Sequence, residues 1–566
     1  MDKKILEKYF NSDNLLLAWE RMIRSTGRDT KDAFGIEIFS ANLNDNLNAL
    51  RILLSENQFS PSRPFKYYEP KASKTHRTKS VLMIEDALVY QAIANVIAAN
   101  NYQRLSENND FVFGSILHPE VEKGIDILND EDAEFYFFEY YIPLYNKFVN
   151  SINEEIENTN IDFKLETDIT GFFDSIPHSK LLLTLHKFGV EPEILDLLSN
   201  CFNVWSGTRD SVTIGVGIPQ GPAPSFFLAN VFLNELDYQI SQEGYTYYRY
   251  MDDIRIYEET EEKLSEALVL IDNYLKSNAL SLNTKKTSIE KISPDREAEK
   301  LVFLTGYGAD EVEYEINIDV DIDTQNTTKD IYVTDQTSDD NQTQMYVIKT
   351  IKGDELVEYC NNEIKEVEEA LLKIFKNIHK EDFNHREIIN SDSFLKDIIH
   401  QAYRWRSANS ILKQNNKQLL NEEMIDVWLF CVEYVFWKAN HFCWNLNQYG
   451  NNNYIKDRLI KVFKKLSHFE WARYQIISNM AIAQKFNQTE LKSLYREIKN
   501  EGSPLVRLGY YKMLLSHLKP TQQLFKSLNF TIRDEADPYV KKSLLLIMKK
   551  GELQNRFDTI NFWFGL

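Results

Sequence analysis

The stretch Tyr248–Tyr257, Tyr-Arg-Tyr-Met-Asp-Asp-Ile-Arg-Ile-Tyr, constrains this chain more than any other segment. Apolar or aromatic residues alternate with others on both sides of Asp252-Asp253, the pattern of two strands joined by a tight turn. Such a hairpin presents two carboxylates at its tip. Adjacent acids repel, and leaving both ionised without a counter-charge is costly; a divalent cation removes that cost. Taken alone, the same residues also describe an Asp-rich surface turn.

A second acid closes another strand pattern, Phe163-Lys-Leu-Glu-Thr-Asp168, which runs on into Ile-Thr-Gly-Phe-Phe173-Asp-Ser-Ile-Pro177. Asp168 ends the alternating apolar run, where its side chain can face the tip of the hairpin. Three hard oxygen ligands on neighbouring strands suit Mg²⁺, which keeps waters and takes substrate phosphates as its remaining ligands. Two such ions stabilise the attacking and leaving oxygens of an in-line phosphoryl displacement. Between the two acidic segments lies Gly217-Ile-Pro-Gln-Gly-Pro-Ala-Pro-Ser-Phe-Phe-Leu-Ala-Asn, continuing to Asp237. Its prolines and glycines predict a fixed loop, with an amphipathic helix from about Ser225. At Gln220-Gly221 the missing side chain lets the backbone approach a base or template closely. A structural helix-start loop explains the composition equally well.

In this order and spacing the segments resemble motifs A, B and C of reverse transcriptases: a strand Asp followed by FFDSI, then IPQGPxPSxxLAN, then YMDD. The flanks agree. Leu282-Asn-Thr-Lys-Lys286-Thr287 is similar to motif D, and Glu69-Pro-Lys71 with Arg77 and IEDALVYQAI resembles the fingers of group II intron and bacterial reverse transcriptases. The resemblance spans roughly residues 20–307. It implies an α+β right-hand polymerase palm and fingers, with fingers over 1–130 and palm over 131–308. By position it implies that Asp168, Asp252 and Asp253 hold two Mg²⁺ ions, for which Mn²⁺ can substitute, assisted by the main-chain carbonyl of Ile169. It assigns Lys71 and Arg77 to the triphosphate, where positive charge offsets developing negative charge; solvated loop charges are the plain alternative. Gln220 and Gly221 would contact the nucleotide or template, and Lys286 would protonate or orient the pyrophosphate. Phe173, five residues after Asp168, holds the sugar-gate position, where an aromatic ring excludes a 2′-hydroxyl and favours deoxynucleotides. Simple core packing also accounts for it.

The rest of the chain narrows the class. Residues 310–359 carry 14 acidic and 3 basic side chains. The alternation EVEYEINIDVDID predicts a solvated hairpin or meander, and NTTKDIYVTDQTSDDNQT a flexible loop, within an acidic insertion over 309–355. The aromatic run from about Phe135 to Phe148 predicts core or an oligomer face, with stacking on nucleic acid as the alternative. From about Leu356 helical periodicity dominates. Ser503-Pro504 and Asp537-Pro538 each read as an N-cap followed by proline at the first helical position. They stand about 34 residues apart, with Val506-Arg507 and Val540-Lys541 at the same offset and Ala472-Arg473 one interval earlier. Stacked helix pairs give this spacing, so residues 356–566 are expected to form an all-α, HEAT-like repeat domain; an ordinary helical bundle is the alternative.

A formal net charge of -21 argues against a basic coat for indiscriminate DNA binding, although a basic channel can lie within an acidic exterior. Four scattered cysteines without CxxC spacing argue against a disulfide framework or structural zinc. The charged N-terminus does not resemble a signal peptide and no apolar run of 18 or more occurs, so a cytoplasmic address without membrane contact is expected. The long helical C-terminus and acidic insertion resemble bacterial antiphage reverse transcriptases of the abortive-infection group. That resemblance implies DNA synthesis from dNTPs, with or without an RNA template, possible priming from a protein hydroxyl, and homo-oligomerisation. Alternatives are a retron-like or mobile-element enzyme copying its own RNA, and a degenerate palm serving as a binding scaffold.

Overall fold

The computed structural model describes residues 2–24, 30–131, 133–296, 328–334, 346–378, 392–414, 417–518 and 522–551. They fall into two compact units, Met1–Lys66 with Thr78–Leu304, and Tyr67–Arg77 with Thr305–Leu566. Strands β1 (Phe65–Pro70) and β2 (His76–Val81) pair with each other, and Tyr67–Arg77, which takes in the end of β1, the turn and the start of β2, counts with the second unit.

The first unit is organised by a four-stranded antiparallel sheet of β3 (Phe163–Asp168), β4 (Thr246–Tyr250), β5 (Asp253–Glu258) and β6 (Ser288–Lys291), in the order β4-β5-β3-β6. Alternation decides its faces. Leu165, Ile254 and Ile256 are fully buried on one side. The Glu261–Ser277 helix packs there on β3, β5 and β6. Thr260 caps it, and Leu264, Ala267, Ile271 and Leu275 form its apolar stripe at helical spacing. The Ala223–Gln242 helix lies against this helix and against the Ile84–Asn100 helix, and is buried on nearly every side. It begins two residues earlier than its periodicity predicts, because Pro224 sits in the first turn, where its missing N–H costs nothing.

The other sheet face carries Tyr257, which shares a cluster with Phe148, Val149, Ile152 and Ile156 of the Tyr141–Glu157 helix. The aromatic run is core in part: Phe137, Phe138 and Phe148 are buried, Phe137 stands edge-on to Phe227, and Tyr136 is exposed. One apolar cluster runs from Ile5 to Leu280, so the stretches read as fingers and as palm share a single core.

In the second unit β7 (Thr328–Thr334) and β8 (Tyr346–Lys352) pair antiparallel. This corrects the expectation of a flexible loop over NTTKDIYVTDQTSDDNQT, whose first half is β7. Ile331, Tyr332, Val333 and Thr334 are strong strand formers, and that local preference outweighs the polar flanks. The stretch EVEYEINIDVDID lies outside the described residues. Helices follow from Gly353 onward. Three of them, Glu470–Ala483, Pro504–His517 and Pro538–Gly551, begin 34 residues apart. Ser503 accepts from Val506 N and Asp537 from Val540 N, so both expected caps form. The interval recurs in side chains as well: Arg473 pairs with Glu501 and Arg507 with Glu535, each at 2.6 Å. All four cysteines are buried free thiols. Among the described residues no helix is long and apolar enough to cross a membrane.

Candidate active site

Register assembles the acids. β3 and β5 pair so that Asp168 lies directly opposite Asp253, and β4 and β5 pair so that Tyr250 faces Asp253. Only Met251 and Asp252 remain to turn the chain, which puts three carboxylates at one end of the sheet. Met251 adopts a left-handed conformation (φ 58°), unusual for a side chain of its size. Opposite residues of an antiparallel pair have Cα atoms about 4.5–5.5 Å apart, so side-chain rotation alone can bring the oxygens of Asp168 and Asp253 onto one ion.

The loop after the Glu261–Ser277 helix braces Asp168. Asn283 N donates to the Asp168 carbonyl at 2.8 Å, and Thr287 Oγ1 lies 2.7 Å from Thr167 Oγ1. The exposed Lys286 ammonium donates to Asp168 Oδ2. Burial of the carboxyl lifts the Asp253 pKa to about 6, Glu166 and Asp252 add to the rise, and Arg255 and Lys286 oppose it. Asp253 as a residue is solvent-exposed, so water screens part of this effect. Arg255 is held by Glu166 at 2.8 Å.

This donor set fits a divalent cation in chemistry and position: hard oxygens, excess negative charge and converging backbones. Among the described residues no three His, Cys, Asp or Glu side chains are gathered to hold an ion as they stand. Lys286 supplies the positive charge at Asp168 instead.

Each of the other expected residues has its own setting. Ile169 continues from Asp168 with its side chain buried, in a bridge to Leu282. Phe173 is 7 % exposed and stands edge-on to Phe226. The Gln220 carbonyl accepts from Ser80 N at 2.9 Å. Gly221 has φ 141°, and a Cβ there would lie 2.1 Å from Thr30 Oγ1 and 2.9 Å from the Ser80 carbonyl. Close approach does require glycine here, but the backbone it admits is the protein's own. Lys71 and Arg77 lie in Tyr67–Arg77, so the first unit by itself does not assemble them with the acids.

Sequence reasoning passed over the residues beneath the turn. Arg249 is buried and bidentate on Asp237, with Nε to Oδ1 at 2.8 Å and Nη2 to Oδ2 at 2.6 Å. A charged residue inside an aromatic strand was a visible signal; its partner, on the preceding helix, was not.

Residues 70–314, less than half of the chain, match the family model for reverse transcriptase (RNA-dependent DNA polymerase). The retron Ec86 reverse transcriptase of Escherichia coli is 26% identical over 164 residues, covering 28% of this chain and 48% of that protein. An uncharacterised 91 kDa protein in the cob intron of Schizosaccharomyces pombe is 36% identical over 74 residues, covering 13% of this chain and 9% of that protein. The chain thus spans less than half the length of these curated relatives. Among solved structures, telomerase from Candida albicans with a fragment of telomeric RNA aligns at a TM-score of 0.31 and 8% identity, over 75% of this chain and 67% of that one. Apo telomerase from Candida tropicalis aligns at 0.28 and 10% identity, over 89% and 69%. Scores this low relate the chains only loosely.

Proposed function

We propose that this chain is a DNA polymerase of reverse-transcriptase type that joins deoxynucleotides by two-metal phosphoryl transfer and acts in bacterial antiphage defence. The observation that carries the chemistry is the register of β3 and β5, which sets Asp168 opposite Asp253 beside the Asp252 turn. When bound, two divalent ions supply charge stabilisation for the attacking and leaving oxygens.

The chain's own residues do the rest. Asp168, Asp252 and Asp253 hold the ions, with the Ile169 carbonyl assisting. A primer 3′-hydroxyl gives up its proton to solvent as its oxygen attacks the α-phosphorus of the dNTP, the bond from that phosphorus to the β-phosphate bridge breaks, and pyrophosphate leaves. Lys286, already an ammonium at Asp168, donates a proton to the departing pyrophosphate or orients it. Lys71 and Arg77 pair with the triphosphate, and Phe173 excludes a 2′-hydroxyl. Gln220-Gly221 supports the nucleotide from a loop fixed by Ser80 and Thr30.

The defence role is supported by the long helical C-terminal half, whose 34-residue recurrence of caps and Arg–Glu pairs suits a HEAT-like repeat domain, and by its resemblance to enzymes of that class. The nucleic-acid partner is a DNA product, with an RNA template or none; a homo-oligomer in the cytoplasm is the expected state. The match to the retron enzyme favours a second reading, in which the chain copies a structured RNA of its own.

Labelled dNTP incorporation with Mg²⁺, with and without RNA, tests the chemistry. The wild-type protein is expected to incorporate label and Asp252→Asn to lose at least about a hundredfold of that rate, since it removes a metal-holding charge at constant size. Asp252→Asn working at the normal rate would refute the metal assignment. A wild type incorporating nothing under any condition would leave the scaffold explanation. Nucleic acid co-purifying with the protein, sequenced and checked for covalent linkage, separates templated, untemplated and protein-primed synthesis.

A further inference from the structure

Behind the acidic turn lies a buried polar strut that the chemistry above does not use. Arg249 is fully buried, and each of its three nitrogens has a protein acceptor. Besides the two bonds to Asp237, Nη1 donates to Asn230 Oδ1 at 3.0 Å and to the main-chain carbonyl of Met251 at 2.7 Å. Asp237 also accepts from Tyr247 Oη at 2.8 Å. Asn230 Nδ2 in turn donates to the carbonyls of Gly114 at 2.7 Å and Ser115 at 3.2 Å. The stretch Phe111–Ser115 is itself bonded to β4, Arg249 N to Phe111 O and Phe113 N to Arg249 O. A Cβ on Gly114 would lie 2.6 Å from Met251 N, so only glycine lets the turn sit this close.

We infer that Arg249 is a positioning residue for the metal-holding turn, tying the left-handed Met251 to Asp237 and Asn230 of the Ala223–Gln242 helix so that Asp252 and Asp253 stay opposite Asp168. This rests on the metal role proposed for those acids. A left-handed non-glycine residue is strained and persists only when its surroundings over-determine it. Arg249 is bonded to the carbonyl of that very residue. A guanidinium can grip a carboxylate with two parallel bonds and still reach two further acceptors, which an ammonium cannot. A buried ion pair is weak support for stability, because apolar side chains of similar volume often hold a core as well or better. What apolar side chains cannot do is bond the Met251 carbonyl.

That difference supplies the test, made on the full chain with Arg249→Lys and with the double variant Arg249→Met/Asp237→Leu. The double variant replaces the pair with apolar side chains and removes both charges together. A cavity of about 40 Å³ beside Asn230, Asn234, Asp237 and Arg249 leaves room for a water next to the shorter lysine. Mn²⁺ binding is read by electron paramagnetic resonance, folding by thermal melting, and incorporation by kcat and KM for dNTP. Both variants are expected to melt cooperatively, the double variant below wild type because Tyr247 Oη, Asn230 Oδ1 and the Met251 carbonyl lose their partners. Each should bind Mn²⁺ about tenfold or more weakly, as losses behind a metal's own ligands typically do, with kcat reduced and KM within about twofold.

Wild-type Mn²⁺ affinity in a folded double variant overturns the inference. So does loss of cooperative folding in both variants, which would make Arg249 a core residue only. Wild-type Mn²⁺ binding that survives Asp252→Asn overturns it too, because the turn would then hold no metal. Weakened Mn²⁺ binding alongside a wild type that incorporates no nucleotide would sustain the positioning role while removing the polymerase reading.

Discussion

Asp86 is a carboxyl buried among the protein's own hydrogen-bond donors. It is 2 % exposed, accepting from Ser62 N at 3.1 Å and from Trp205 Nε1 at 3.2 Å. Burial lifts its pKa to about 7, the bonds from Ser62 and Trp205 lower it only in part, and the charge of Glu85 adds to the rise. Between its ordinary value and about 7 the folded chain therefore binds more protons than the unfolded one. The stability this adds is complete below the ordinary value and is lost as pH rises toward 7, with a slope of at most about 1.4 kcal/mol per pH unit. Urea unfolding from pH 5 to 8 should show wild type losing stability relative to Asp86→Asn, whose amide oxygen still accepts from Ser62 and Trp205. Parallel pH profiles for the two proteins would show that Asp86 ionises without cost.

Among elements, the helices of the second unit repeat a polar device. Arg473 pairs with Glu501 and, one interval later, Arg507 with Glu535. Glu535 is almost fully buried, held by Arg507 Nε at 3.0 Å and Nη2 at 2.6 Å and by Tyr511 Oη at 3.2 Å. These bonds hold its carboxyl below the usual carboxylate range despite burial. Removing the guanidinium alone strands a buried charge, a loss of about 3–5 kcal/mol for such pairs. Arg507→Met should lower the thermal midpoint, and Arg507→Met with Glu535→Leu should recover most of it. A single variant melting like wild type would mean that Glu535 finds other partners without strain. At this scale the caps were legible because Ser-Pro and Asp-Pro carry their own hydrogen-bond logic, whereas the Arg–Glu pairing joins residues 28 apart and no local pattern marks it.

For the whole molecule, the chain enters its second unit twice, first at Tyr67–Arg77 and again from Thr305. Within that unit Tyr68 N donates to Glu470 Oε1 at 2.9 Å, His76 lies against Phe469, and Glu470 Oε2 accepts from Ser503. A cut near residue 355 would thus strip partners from a segment nearly three hundred residues earlier, and truncation is a poor probe of the helical half. Glu470→Ala in the full chain is the sharper probe. It removes two hydrogen bonds of half-buried donors, each worth about 1 kcal/mol. Trypsin should then cleave after Lys71, Lys74 or Arg77 several-fold faster, in proportion to the opened population. Unchanged cleavage would show that Glu470 does not hold this segment.

Local chemistry along the chain encodes the strands around Asp168 and Asp252-Asp253, the proline-led helix after Gly221, and the caps at Ser503 and Asp537. Alternation, proline and capping side chains act within a few residues, so they can be read along the chain. Only the tertiary structure decided the register that sets Asp168 opposite Asp253, the bond from buried Arg249 to the carbonyl of Met251, and the packing of Gly221 against Thr30 and Ser80. It also put Lys71 and Arg77 in a different unit from the acids. Each of these depends on which distant surfaces fill one another's space, and burial energy is indifferent to separation along the chain.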